Sequence, residues 1–339
     1  MQKKDYLKKE VEHFDIKAVD ARSIIDAMSG MSFTARDTAR ATNIFNTMLR
    51  DKDCTVVLAI AGSTSAAGCM QVYVDMVKNK MVDVVVATGA TIVDMDFFEA
   101  IGFKHYQGSP YVDNQELRGL LIDRVYDTFI DEEEVTACDK TVQLVANQIT
   151  PGVYSSREFI REMGKYLVEH SKKKDSLIQV AYENDIPIFC PAFSDSSAGY
   201  GLVWHQVEHP DNHVSIDSVK DFRELTQLKM SAKETGILVI GGGTPKNFIQ
   251  DTVTCANGLG KDVPMHKYGI QITVADVRDG ACSSSTFKEA ASWGKINLEN
   301  EQMVYAEATS VLPLMMSHAY HTGLWKEREL RRLSKIFEK

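Results

Sequence analysis

The sequence predicts an α/β fold: a Rossmann-like parallel sheet with helices on both faces, plus a helical N-terminal arm. Three observations predict it. Short, almost wholly apolar runs recur, as in TVVLAIA from Thr55 to Ala61, the pattern of strands covered on both faces. Each run closes on a turn rich in glycine, serine, aspartate or proline. A helix-length segment then follows, and strands alternating with helices are the signature of crossovers on a parallel sheet.

Residues 1–50 read as the helical arm and residues 51–339 as a single domain. After the Thr55–Ala61 strand, GSTSAAG leads into a helix from Cys69 to Lys78. VDVVVA, Val82 to Ala87, is a second strand, closing on TGAT. IPIFCPAF, GILVIGGGTP and YGIQITVAD supply further strands. Ser155 and Glu158 form a capping box at the head of SSREFIREMGKYLVEH, because each side chain can satisfy the other's free backbone N–H. A helix from Ser215 to Ala232 precedes the triple-glycine strand, and VYAEATSVLPLMMSHAYH reads as a short strand running into a helix. Residues 104–135 are the least regular part and read as an insertion or lid. The basic end, WKERELRRLSKIFEK, reads as a solvated amphipathic helix.

Composition narrows the function. A net charge of −9 argues against a general nucleic-acid surface. No apolar run reaches the roughly 18 residues of a membrane span, and the first residues lack the apolar stretch of a secretion signal, so the expected location is cytoplasmic. The six cysteines are scattered without a CxxC pair, so disulfides are not expected. Neither His209 with His213 nor His318 with His321 has carboxylate spacing that suggests zinc, and no metal is expected. His205, amid apolar neighbours, reads as a packing residue.

Open parallel sheets bind ligands outside the carboxyl ends of their strands. Three turns of small residues gather there: AGSTSAAG, ATGAT, and Gly241 to Gly243 followed by Pro245 in a helix start. Such turns expose N–H groups to an anion such as a pyrophosphate. None is G-x-G-x-x-G, so the ordinary dinucleotide fingerprint is absent. Asp195, just past a strand end, can bond a ribose hydroxyl or cap a turn. In STFKEAASWGKINLE, Lys295 follows a helix and the Ser-Trp-Gly triplet. It reads either as a snorkelling helix-end cation or as a desolvated amine that attacks carbon.

EAASWGKI, with GGGTPKN, PAFSDSSAG and MVDVVVATGA, closely resembles the deoxyhypusine synthase family in its bacterial "deoxyhypusine synthase-like" branch. The resemblance runs from about His13 to the helix after Pro313. It implies an NAD-dependent enzyme, usually tetrameric with active sites at subunit interfaces. In such enzymes the S-W-G-K lysine, here Lys295, forms an imine with the alkylamine fragment of a polyamine, and an acceptor amine then displaces it. It further implies polyamine-holding roles for Glu289 and Trp293, and for Asp94, which follows Val93 where the family has a Glu-Glu pair. Cofactor-side positions are Ser63, Thr88, Gly89, Asp195, Gly242, Gly243, Ala275, Glu307 and Ala308, with Ser63 in place of an asparagine and Glu307 in place of an aspartate.

The substrate half departs from that pattern. Tyr200 and Cys282 replace aspartates that face amine groups, and Asn247 replaces a histidine. Losing two carboxylates removes partners for a terminal ammonium. The resemblance therefore implies an amine acceptor that is either a free diamine, giving a homospermidine-type product, or a protein lysine on the hypusine-bearing translation factor. An agmatine-like guanidinium donor also suits the altered pocket. From a different class, a catalytically silent NAD- or polyamine-binding protein remains an alternative.

Overall fold

The structure is a computed structural model and describes residues 2–338. Among the described residues eleven strands occur in chain order: β1 (Cys54–Ile60), β2 (Val84–Ala87), β3 (Tyr106–Gln107), β4 (Ile122–Val125), β5 (Thr128–Asp131), β6 (Gly152–Tyr154), β7 (Ile188–Phe189), β8 (Val214–Ile216), β9 (Glu234–Ile240), β10 (Tyr268–Thr273) and β11 (Glu301–Tyr305). Six build the central sheet in the order β11-β10-β9-β1-β2-β7, and every pairing in it is parallel.

The apolar runs explain why this sheet is covered twice. Along β1, Val56, Leu58 and Ile60 enter one core while Val57 and Ala59 enter the other. β9 divides the same way, Leu238 and Ile240 against Ile237 and Val239. Successive strand residues point to opposite faces, so a strand apolar at every position needs a helical layer on each. The Phe33–Arg50 helix supplies Ile44, Phe45 and Met48 to the first face, and the Ala308–Thr322 helix adds Leu312 and Met315. Leu225, Leu228, Ile249 and Phe287 cover the second.

Two sequence expectations are corrected. Residues 104–135 are regular: β3, β5 and β4 form an antiparallel sheet with a Asn114–Gly119 helix. Their own small core of Leu117, Ile122 and Phe129 closes on Tyr6, whose ring centroid lies 5.8 Å from that of Phe129. The C-terminal stretch is not one amphipathic helix but two 3-10 turns, Leu324–Glu327 and Leu333–Phe337. Between them Arg328 turns inward and ion-pairs with buried Asp83 at 2.5 Å, and Arg332 takes a left-handed φ of 47°. A continuous helix would carry Arg328 away from that carboxylate.

Two turns are wider than the sequence reading allows. The expected Cys69–Lys78 helix starts at Met70, preceded by a π-turn over Ser65–Cys69 in which Gly68 has φ 100°. A second π-turn spans Ala90–Phe97 after β2. Both stand at strand carboxyl ends, where such widened turns commonly mark sites.

Candidate active site

The carboxyl ends of β1, β9, β10 and β11 open onto a cleft of about 420 Å³. Its walls include Ser63, Gly242, Ala275, Glu307 and Ala308, five positions singled out from sequence. Gly62, at φ 83°, also lines it, and a Cβ there would meet nothing within 4 Å. The missing side chain leaves room for a ligand to approach the backbone. Glu307 caps the Ala308–Thr322 helix, accepting from the Thr309 N–H at 3.1 Å.

The triple-glycine turn is less of an anion cradle than the sequence suggests. The Gly241 N–H donates to Ile272 O at 2.8 Å, and the Gly243 N–H donates to Ser283 Oγ at 2.9 Å. Gly242, with φ 152°, would place a Cβ 2.6 Å from Ser283 Cα. Glycine at this position lets the 276–285 loop close against the turn.

Thr88, Gly89, Asp94 and Asp195 form a second group, past β2 and β7. The Thr91 hydroxyl links the groups by donating to Gly62 O at 3.4 Å. Gly89 packs directly on Ser196, where a Cβ would come within 2.6 Å of the serine Cβ. The exposed Asp195 carboxylate does not cap the following helix; Ser196 does. Asp94 Oδ1 accepts from the Ser197 N–H at 2.7 Å, and burial pushes its carboxyl up to about 6. Ala192, just before this turn, has φ 57°, a strained conformation of the kind stored at sites.

The third group surrounds Lys295. The Phe287–Ser292 helix ends in a Schellman turn: the Gly294 N–H donates to Ala291 O at 2.9 Å and the Lys295 N–H to Ala290 O at 3.2 Å. That motif requires a left-handed residue, here Gly294 at φ 69°. It places the lysine back over the helix end, so the W-G-K string has a conformational reason. The Lys295 side chain is 13% exposed, with Nζ 2.5 Å from Asp251 Oδ1 and 5.2 Å from the Trp293 ring centroid. Trp293 itself is 66% exposed, and Glu289 faces solvent.

Asp251 was missed by sequence reasoning. It lies one turn beyond Asn247 on the Gly243–Gly258 helix, and the Asn247 amide donates to its Oδ2 at 3.0 Å. The i, i+4 spacing was the available signal. Lys246 was missed as well. Its fully buried amine donates to Cys282 O at 3.1 Å and also to Ser285 O, and burial lowers it to about 8. It fastens the loop that carries the exposed Cys282.

Tyr200 and Cys282 are not brought together. Tyr200, 64% exposed, lies on the helix after β7, and Cys282 lies after β10. Four strand spacings separate β10 from β7, about 19 Å at ~4.8 Å each. His205 is buried, its Nδ1 2.5 Å from Asn147 Oδ1, and its Nε2 accepts from the Val214 N–H at 2.9 Å. It is a satisfied packing residue. Among the described residues no helix is long and apolar enough to cross a membrane.

Residues 23–319 match the family model described as deoxyhypusine synthase. The chain is 64% identical over 337 residues to the "Deoxyhypusine synthase-like protein" of Coxiella burnetii, covering 99% of this chain and 96% of that one. A Methanosarcina mazei protein named "Probable deoxyhypusine synthase 2" is 37% identical over 324 residues, covering 95% and 92%. The crystal structure of "a putative deoxyhypusine synthase from Entamoeba histolytica" shares the fold, with a TM-score of 0.62 at 21% identity over 92% of this chain and 97% of that one.

Proposed function

The chain belongs to the deoxyhypusine synthase family, and from that premise we propose that it is an NAD-dependent transferase acting through an imine on Lys295. It moves an alkylamine group from a polyamine or diamine donor to an amine acceptor. The observation that carries the reading is the Schellman turn at Gly294, which holds a largely buried Lys295 amine beside Asp251 and the Trp293 ring.

The residues present fit a dinucleotide. The cleft volume is of ligand size, Gly62 leaves room beside the backbone, and two carboxylates of the kind that bond ribose hydroxyls are at hand, Glu307 in the cleft wall and the exposed Asp195 past β7. Bound there, NAD would supply hydride-transfer chemistry for the donor carbon beside the amine. Lys295 attacks the resulting imine carbon and displaces the departing amine, and the acceptor amine then displaces Lys295. The exposed Trp293 ring offers a face to a cationic substrate, and Glu289 adds negative charge nearby.

The separation of Tyr200 from Cys282 supports a pocket completed by a second copy, in keeping with a homotetramer that has its active sites at subunit interfaces. With neither position acidic, the donor end there is not held by carboxylates. That supports a donor end other than the ammonium of an ordinary polyamine, with a free diamine, in a homospermidine-type reaction, or a protein lysine as the acceptor. Incubation with NAD and a panel of isotope-labelled amines, read by mass spectrometry, tests the proposal. A new, NAD-dependent secondary amine is expected. Binding of NAD or amine with no new product would identify a silent binding protein instead.

A further inference from the structure

We propose that Asp251 is the group that takes the Lys295 proton before attack and delivers it to the departing amine. The inference rests on the transferase reading above and concerns how its lysine is made nucleophilic.

A protonated amine has no lone pair, so attack on carbon requires the proton to leave Nζ first. Around Lys295 the structure offers few places for it. Asn247 carries an amide, which is not basic. The Lys246 amine is buried and committed to Cys282 O and Ser285 O. His266 touches only the lysine backbone, its N–H donating to Lys295 O at 3.0 Å; its buried ring nitrogens are engaged with Thr235 Oγ1 at 2.8 Å and Ile249 O at 3.2 Å. Glu289 lies on the preceding helix and faces solvent. Asp251 Oδ1 is 2.5 Å from Nζ. Its other oxygen is held by Asn247 at 3.0 Å, which fixes the carboxylate plane and aims Oδ1 at the amine.

The step balances within the site. The proton moves from Nζ to Oδ1, and the freed lone pair forms a bond to the donor imine carbon as the C=N π pair moves to nitrogen. Asp251 passes that proton to the nitrogen that received the pair and takes the second proton, which attack has left on the positively charged Nζ. The lone pair so freed forms the Lys295 carbon–nitrogen double bond as the bond to the departing amine breaks, leaving the imine on Lys295. No proton has to be exchanged with solvent, so imine formation stays nearly flat with pH across the neutral range.

Asp251→Asn tests this, because it keeps the shape and cannot accept a proton. The readout is the pH profile of borohydride-trapped adduct on Lys295, in protein supplied with NAD and an amine donor. In the variant the lysine must lose its proton to solvent. A unit-slope acid limb is expected, with trapping reduced about 10²- to 10³-fold at pH 7 and rising as the pH is raised. Asp251→Glu, which keeps a carboxylate, should restore part of the neutral activity. Unchanged NAD affinity and melting temperature show that the variant is folded. If Asp251→Asn keeps the native profile, or traps better at pH 7, the carboxylate is a mere counter-ion and the inference is overturned. Absence of any adduct in the native protein would overturn the transferase reading itself, a distinguishable result.

Discussion

Gly89→Ala probes the contact between the β2 turn and the helix behind Asp195. Gly89 has φ −59°, so alanine suffers no backbone strain and only packing is changed. The new Cβ would fall 2.6 Å from Ser196 Cβ, closer still to its Oγ, and 3.4 Å from Asp195 O. Overpacking of this kind costs about 1–3 kcal/mol. At ~2.1 cal/mol/K of unfolding entropy per residue, a 339-residue chain melts about 3 °C lower for a ~2 kcal/mol loss. Ser196→Gly removes both atoms the methyl group meets, and glycine is nearly as good an N-cap as serine, costing only a few tenths of a kcal/mol. The double variant should therefore regain most of the loss, a coupling of about 1–2 kcal/mol. Differential scanning calorimetry gives the melting temperatures, and titration calorimetry gives NAD affinity, expected to fall several-fold in Gly89→Ala as Asp195 is displaced. A single variant that melts like the native protein, or a double variant with no relief, would refute the reasoning.

Two further variants test buried charges. The Lys246 amine sits near 8 in the fold against 10.5 when unfolded. Between those values the unfolded chain holds a proton that the folded one lacks, so stability rises with pH, by up to about 3 kcal/mol in all. Lys246→Met should remove that slope, so urea melts at pH 7 to 10 should show the native protein gaining on the variant; a pH-independent gap would contradict it. Arg328→Ala takes from the buried Asp83 carboxylate its hydrogen-bonded guanidinium, leaving only that of Arg331 at 3.8 Å, and should cost about 3 kcal/mol near neutral pH. Burial already raises Asp83, and an acid raised by folding stabilises the fold as pH falls. The gap between variant and native protein should therefore narrow towards pH 5, and a widening gap would refute this account.

The fold was legible where one local rule decided it. Runs such as TVVLAI, short, rich in β-branched residues and closed by a turn, read as doubly covered strands, and Ser155 with Glu158 makes the expected capping box. Tertiary demands were not legible. β7 is only two residues long, and nothing local in the C-terminal stretch announces that Arg328 must reach Asp83. The site was legible in part. Five of the positions expected to face a cofactor line one cleft, and W-G-K is written into a Schellman turn. Asp251 was hidden because a carboxylate four residues after a polar residue usually reads as a solvated helix face. The distance between Tyr200 and Cys282 was hidden because strand order, not sequence spacing, sets it.

Mass spectrometry of borohydride-reduced protein, taken during incubation with NAD and an amine donor, tests the imine on Lys295 most directly. A single adduct is expected on the peptide containing Lys295 and on no other lysine, Lys246 included. Lys295→Arg keeps the charge, but its guanidinium cannot serve as the nucleophile. It should bind NAD, form no adduct and lose transfer by several orders of magnitude. Transfer at a near-native rate by Lys295→Arg, or an adduct on a different lysine, would contradict the account.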